Sequence, residues 1–237
     1  MVHEIRKLEK WYGSTKVLDG IDLKFSDGSV TVVLGPSGCG KTSLLNILAG
    51  LDTEFSGTVE GFNNGLASYV FQEDRLLPWM DAVDNVAFAL RRTLEKTAAR
   101  KVAIESLEAV GLSSVTGMKP GVMSGGMRRR VALARAFAYP SQVLLLDEPF
   151  SALDLKTRIT VMDLFLELRS KDGRRAIVVT HDVREAIYLG DRIAVLSDKP
   201  ATIRDVFDIS LTKEERSYTS GAAAEIETRM YASILSE

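Results

Sequence analysis

An α/β domain with a mostly parallel sheet, interrupted by a helical insertion, is the fold this sequence predicts. Short β-branched or aliphatic runs alternate with helical patterns toward both ends of the chain, and parallel sheets covered by helices require that alternation. Between about residues 83 and 139 only helical patterns occur. A glycine-rich turn at 35–42 follows the first β-branched run and precedes the first helical one. With 237 residues, 46% of them hydrophobic and 26% charged, the chain can bury one sizeable core and is too short for two full domains.

Taken in order, residues 17–25 alternate apolar and polar side chains. Residues 29–34 form a β-branched run that leads through the glycine-rich turn into a helix at 42–48. Short β-rich runs follow at 57–59 and 66–71. In the helical stretch Val83, Val86, Ala87 and Leu90 share one face, and Val102, Leu107 and Val110 mark a second helix closed by Gly111. Pro120 and Gly121 break the pattern, and a third helix covers 127–138 before Pro140. Strands at 143–146, 176–179 and 193–196 then alternate with helices at 155–169 and 183–189. A strand at 201–209 and a helix at 222–235 close the chain. No internal repeat or flexible linker appears, so the helical stretch reads as an insertion within one core.

Lys and Arg number 30 against 32 Asp and Glu, a formal charge of −2. That leaves no basic excess to neutralise phosphate backbones and argues against nucleic acid as a partner. The longest aliphatic stretches, 143–146 and 176–179, fall far below the roughly 20 residues that span a bilayer. The first twelve residues carry Glu4 and Glu9 among lysines with no apolar run, unlike a secretory signal. One cysteine, Cys39, allows no internal disulfide and agrees with a reducing, cytoplasmic compartment.

Gly35, Pro36, Ser37, Gly38, Cys39, Gly40, Lys41 and Thr42 fit G-x-x-x-x-G-K-[ST] in the strand-to-helix context that makes the motif informative, and Ser43 continues it into the helix. Its backbone N–H groups can cradle phosphates, Lys41 can neutralise developing charge, and the Thr42 hydroxyl can ligate Mg²⁺. Cys39 occupies a variable position, as a small filler. The apolar run 143–146 stops at Asp147-Glu148-Pro149, and ligands of open α/β sheets bind outside such strand ends. Beside a phosphate loop, Asp147 suits the Mg²⁺ shell and Glu148 the polarisation of an attacking water.

Ser124, Gly125, Gly126 and Met127 precede a helix. Alone they read as an ordinary serine cap; beside a phosphate loop they read as a second anion binder. The phosphate loop, Gln72, Ser124-Gly125-Gly126, Leu146-Asp147-Glu148-Pro149, Ser151-Ala-Leu-Asp154 and His181 together resemble, in order and approximate spacing, the nucleotide-binding subunits of ATP-binding-cassette (ABC) systems, over nearly the whole chain. The resemblance implies a P-loop NTPase core with an N-terminal antiparallel β part, about 1–82 and 140–237, and a helical subdomain at about 83–139. It further implies ATP and Mg²⁺ as cofactors and a homodimer in which Ser124–Met127 of one subunit closes on ATP held by the other.

Under that resemblance Tyr12, 23 residues before Gly35, looks like the adenine-stacking aromatic, with Trp11 as its rival. Gln72 resembles the loop glutamine that senses Mg²⁺ and the γ-phosphate, Ser151 and Asp154 the segment joining the two sites, and His181 the switch histidine. Met127 stands where the commonest pattern has glutamine, and Met123 where it has leucine. The run Arg128 to Arg130 reads as a solvated helix face. Residues 71–79, with Leu76, Leu77 and Trp79, read equally as core and as a docking site for a membrane partner. Together with Asp84, Asn85 and Val86 they are similar to importers of the nitrate, sulfonate and taurine group, which includes relatives handling thiamine precursors. That implies a peripheral subunit on the cytoplasmic face of the cell membrane, an integral permease as partner, a solute-binding protein indirectly, and a small anionic or vitamin-precursor solute. A non-transport or exporter-associated ABC ATPase is the alternative. With the chain ending at Glu237, no large appended regulatory domain is expected.

Overall fold

Two neighbouring strands open the chain because Ile5 and Leu8, facing Ile21 and Leu23, bury one side of an antiparallel ribbon. These are β1 (His3–Tyr12) and β2 (Thr15–Phe25); β3 (Val30–Leu34) follows and leads through the glycine-rich turn into α1 (Lys41–Leu48). β4 (Ser56–Glu60) returns to β1, and β5 (Ala67–Val70) joins a second sheet. Then come α2 (Ala82–Leu90), α3 (Lys96–Ala109) and α4 (Gly125–Ala138). β6 (Val143–Asp147), α5 (Leu155–Asp172), β7 (Arg175–Thr180), α6 (Val183–Leu189), β8 (Arg192–Leu196), β9 (Ile203–Asp208) and α7 (Gly221–Leu235) complete the chain. This computed structural model describes residues 3–62 and 67–235.

The small sheet runs β2-β1-β4 and is antiparallel; the large one runs β5-β6-β7-β3-β8-β9 and is parallel except for β9. Every residue of β3, β6 and β7 is buried, the physical reason these strands read as unbroken apolar runs. Val32, Leu34, Leu144 and Leu146 pack toward α4, α5 and α6, whereas Val33, Val143 and Leu145 pack toward α1 and the small sheet.

Helices α2, α3 and α4 build their own apolar cluster from residues including Val83, Val86, Leu90, Ala103, Leu107 and Val131. In α3 the buried stripe is Ala99, Ala103 and Leu107, with Val102 only at its margin. Gly111, at φ 69°, ends that helix in the left-handed conformation. Helix α4 begins at Gly125, two residues before the start its sequence pattern suggests. Strand β1 shows no strand pattern in the sequence, because its charged residues and the irregular pairing between Ile5 and Trp11 hide the alternation. Leu66, part of the β-rich run at 66–71, lies outside the described residues.

Strand order positions the site. β5, β6, β7 and β3 are consecutive neighbours, and their C-terminal ends lead into Gln72, Asp147-Glu148, His181 and Gly35–Lys41 respectively. Residues far apart in sequence thus meet at one sheet edge.

Candidate functional site

The phosphate loop has its shape because glycine is required in it. Gly40 adopts φ 120°, and a Cβ there would lie 2.8 Å from Val17 and 2.9 Å from Leu18. The Lys41 ammonium, 4% exposed, donates to the carbonyl oxygens of Gly35 (2.8 Å) and Pro36 (2.9 Å) and lies 3.6 Å from the Glu148 carboxylate. Ser37, Gly38, Lys41, Thr42, Ser43 and Glu148 share a cavity of about 300 Å³ with Gln72. Cys39 is 2% exposed, and burial pushes its thiol up, with Lys41 opposing. It is a space-filling residue beneath the loop rather than a reactive thiol.

Asp147, buried at the end of β6, accepts from the Thr42 hydroxyl (3.2 Å) and from the Tyr69 hydroxyl (3.3 Å). Burial pushes its carboxyl up and these two bonds pull it back. Tyr69 stacks on Phe71, ring centroids 4.2 Å apart, so the β5 end buttresses Asp147 from the Gln72 side. Sequence reasoning missed Tyr69; its position one residue before the end of a buried strand was the available signal. Gln72 itself is exposed and opens on both the phosphate-loop cavity and a second one of about 440 Å³ that Thr42 and Asp147 also line.

Glu148 takes a left-handed backbone, φ 40°. Its N–H donates to Val179 (3.0 Å) and its carbonyl accepts from the Ser151 hydroxyl (3.1 Å). Held this way, its carboxylate touches His181 Nδ1 at 3.1 Å on one side and faces Lys41 on the other. Asp154 caps α5, accepting from the Thr157 N–H at 3.1 Å.

Tyr12, half-exposed, places its hydroxyl 3.3 Å from Ser43 Oγ and 3.1 Å from Asp52 Oδ2. Lys10, fully buried, pairs with Asp52 at 2.7 Å and lies 4.7 Å from the Tyr12 ring centroid. Burial alone would raise the Asp52 carboxyl, but the Lys10 bond and others take it below its usual range. Trp11 instead has Lys16 over its ring. Of the two aromatics, Tyr12 is the one tied to the phosphate-loop helix, through Ser43.

Ser124 caps α4, its hydroxyl accepting from the Met127 N–H at 3.2 Å. A Cβ on Gly126 would approach Thr157 Cγ2 to 2.6 Å, so α4 and α5 meet only because this residue is glycine. Ser124, Gly125, Gly126 and half-buried Met127 lie apart from the residues lining the phosphate-loop cavity. Within one chain they are not brought to Lys41.

The run Arg128 to Arg130 is not a solvated face. Arg129 is 3% exposed, donates to the carbonyls of Phe71 (2.8 Å) and Gln72 (2.6 Å), and pairs with Asp74 (3.2 Å). Helix α4 is wedged between two apolar clusters, with Leu133 on one side and Val131 on the other, so few of its positions can reach water. The segment 71–79 also divides: Leu76 packs into the core, whereas Trp79 is 67% exposed. Buried Asn85 shapes it, accepting from the Leu77 N–H (2.7 Å) and donating to the carbonyls of Leu77, Met80 and Asp81.

Among the described residues no helix is long and apolar enough to cross a membrane. The ABC transporter family model matches residues 18–151. The chain is 42% identical over 208 residues to the aliphatic sulfonates import ATP-binding protein SsuB 1 of Pseudomonas syringae pv. syringae, covering 88% of this chain and 86% of that one. It is 45% identical over 203 residues to the protein of the same description from Xanthomonas axonopodis pv. citri, covering 82% and 80%. The dimeric ATP-binding cassette MJ0796 bound to ADP and Pi superposes with a TM-score of 0.76 at 30% identity, over 90% of this chain and all of that one. Strand order, phosphate loop and these likenesses agree: the chain belongs to the ABC transporter family.

Proposed function

We propose that this chain is the ATP-hydrolysing subunit of an ABC importer, in which two copies sandwich two ATP molecules and drive a membrane permease. The observation that carries the ATPase reading is the convergence of Lys41, Glu148 and His181, with Glu148 3.6 Å from the ammonium and 3.1 Å from the imidazole. The Gly35–Ser43 loop cradles the phosphates and Lys41 turns from its own loop carbonyls to the γ-phosphate. Glu148 orients and deprotonates the attacking water as general base, and His181 steadies the γ-phosphate and Glu148 together. Tyr12 stacks on adenine, its ring held by Asp52 and Ser43.

Thr42, Asp147 and Gln72 offer a hydroxyl, a carboxylate and an amide oxygen, a hard-oxygen set that suits Mg²⁺. Thr42 and Asp147, 3.2 Å apart, would hold Mg²⁺, which when bound would supply charge neutralisation at the phosphate oxygens.

Because Ser124–Met127 lie apart from the cavity of their own chain, the partner subunit's copy supplies the second anion binder, with Ser151 and Asp154 at the seam. The importer reading rests on relatives named for aliphatic sulfonate import. A small anionic solute delivered by a solute-binding protein fits best, with this subunit on the cytoplasmic face of the membrane beneath the permease. Exposed Trp79 and half-buried Leu77 are the docking residues. Purification from native membranes in mild detergent should bring an integral permease with the chain, lost when Trp79 and Leu77 are replaced by polar residues. Recovery of soluble partners alone overturns the transport role and leaves the ATPase standing.

A further inference from the structure

Residues 71–75 belong to no helix or strand, yet four of their carbonyls are taken by side chains of α4. Arg129 donates to Phe71 (2.8 Å) and Gln72 (2.6 Å), and Arg135 donates to Asp74 (2.9 Å) and Arg75 (2.9 Å). Asp74 answers with its carboxylate, 3.2 Å from Arg129 Nε and 3.6 Å from Arg128 Nε. The segment curls back on itself, Arg75 at φ 44° setting its guanidinium 3.9 Å from the Phe71 ring centroid. Phe71 in turn stacks on Tyr69, which holds Asp147. A continuous set of contacts therefore runs from the helix that Ser124 caps to the carboxylate beside the phosphate loop.

An arginine buried this deeply must have its charge and donors satisfied, since leaving them unpaired costs more than the bonds return. Its planar fork fixes two successive carbonyls at once, which an ammonium on a flexible stem cannot do. The fork lands on the carbonyl of Gln72 itself, so the rotation of that residue about its backbone follows α4.

We propose that Arg129 and Arg135 are positioning residues that clamp the Gln72 segment to α4, so that Gln72 in one site and Ser124 in the opposite site move as one body. The inference rests on the reading of Gln72 as a site residue made above. ATP closed between two subunits pulls on Ser124, α4 follows, and the clamp carries Gln72 toward its own phosphate-loop cavity.

A double-mutant cycle tests this. ATP turnover of the purified chain is measured for Gln72→Ala, Arg129→Gln and the two combined. R129Q should lower kcat roughly 10- to 100-fold, the loss that misplacing a site group by about 1 Å brings, with KM for ATP moved by less than about twofold. In the Q72A background the second substitution should change little, because both act through one group. Losses that multiply in the double variant overturn the clamp while leaving Gln72 in its role; wild-type turnover in Q72A overturns both. Should R129Q fail to fold, Arg135→Lys, which keeps the charge and gives up one carbonyl bond, replaces it in the cycle. A loss of about threefold, one modest hydrogen bond, that vanishes in the Q72A background supports the clamp, and one that persists there overturns it.

Discussion

Glu148 sits at φ 40°, a conformation that costs a non-glycine residue of order 1–2 kcal/mol. The Val179 carbonyl and the Ser151 hydroxyl hold it there, and the return is a carboxylate aimed between Lys41 and His181 instead of along the strand. Glu148→Gln keeps that shape and removes the base. Phosphate release should fall by roughly 10²- to 10⁴-fold, the range general-base removal brings, while equilibrium binding of ATP persists; turnover at the wild-type rate would take Glu148 out of its role. Much of this was legible in the residues themselves, because the loop glycines, Lys41, Thr42 and the Asp147-Glu148 pair carry chemistry that few other spacings support. Tyr69 and Asp52 were not, since a tyrosine near a strand end and an aspartate in the connection after α1 have many uses and only contact with Asp147 and with Tyr12 separates these.

At the scale of elements, α4 and α5 approach closely beside Ser124, the cap of α4. A Cβ on Gly126 would stand 2.6 Å from the Thr157 methyl, and threonine, branched at Cβ, has few rotamers with which to yield. Gly126→Ala should therefore destabilise the chain by about 1–3 kcal/mol, the usual cost of overpacking, and Thr157→Ser in the same chain should restore most of it by removing the methyl. Urea midpoints of the three variants decide; an unchanged midpoint in G126A means the two helices part freely. The helices themselves were readable from periodicity. What periodicity hid was the environment of α4, where Arg129 occupies what looks like a polar stripe. A run of three arginines, 128 to 130, reads as solvated until the neighbouring segment 71–75 is seen to bring the Phe71 and Gln72 carbonyls and the Asp74 carboxylate against Arg129.

For the molecule as a whole, the sequence showed alternating strands and helices but not their order, because β3 between β7 and β8 is a pairing of distant segments that no local pattern encodes. One consequence of that packing is a carboxyl with no route to water. Glu185, on the first turn of α6, is 1% exposed. Burial first, then the charge of Asp182, pushes it up to about 8, with Thr180 and Arg158 opposing. Arg129 also faces it across the core, as does Tyr218. A carboxyl raised in the folded state is protonated there, so its contribution to stability is fully present below the ordinary glutamate range and is lost as pH rises through about 8. Between pH 6 and pH 8 the folded chain should accordingly lose up to about 1.4 kcal/mol per pH unit through this group, the slope of one linked proton. Glu185→Gln carries no proton to lose, and every other titrating group is common to both chains. The difference in urea unfolding free energy between E185Q and wild type should therefore move in favour of E185Q as pH rises from 6 to 9. A difference that stays level across that range would mean that Arg129 and Arg158 compensate the ionised carboxylate in full and that Glu185 is charged in the folded protein.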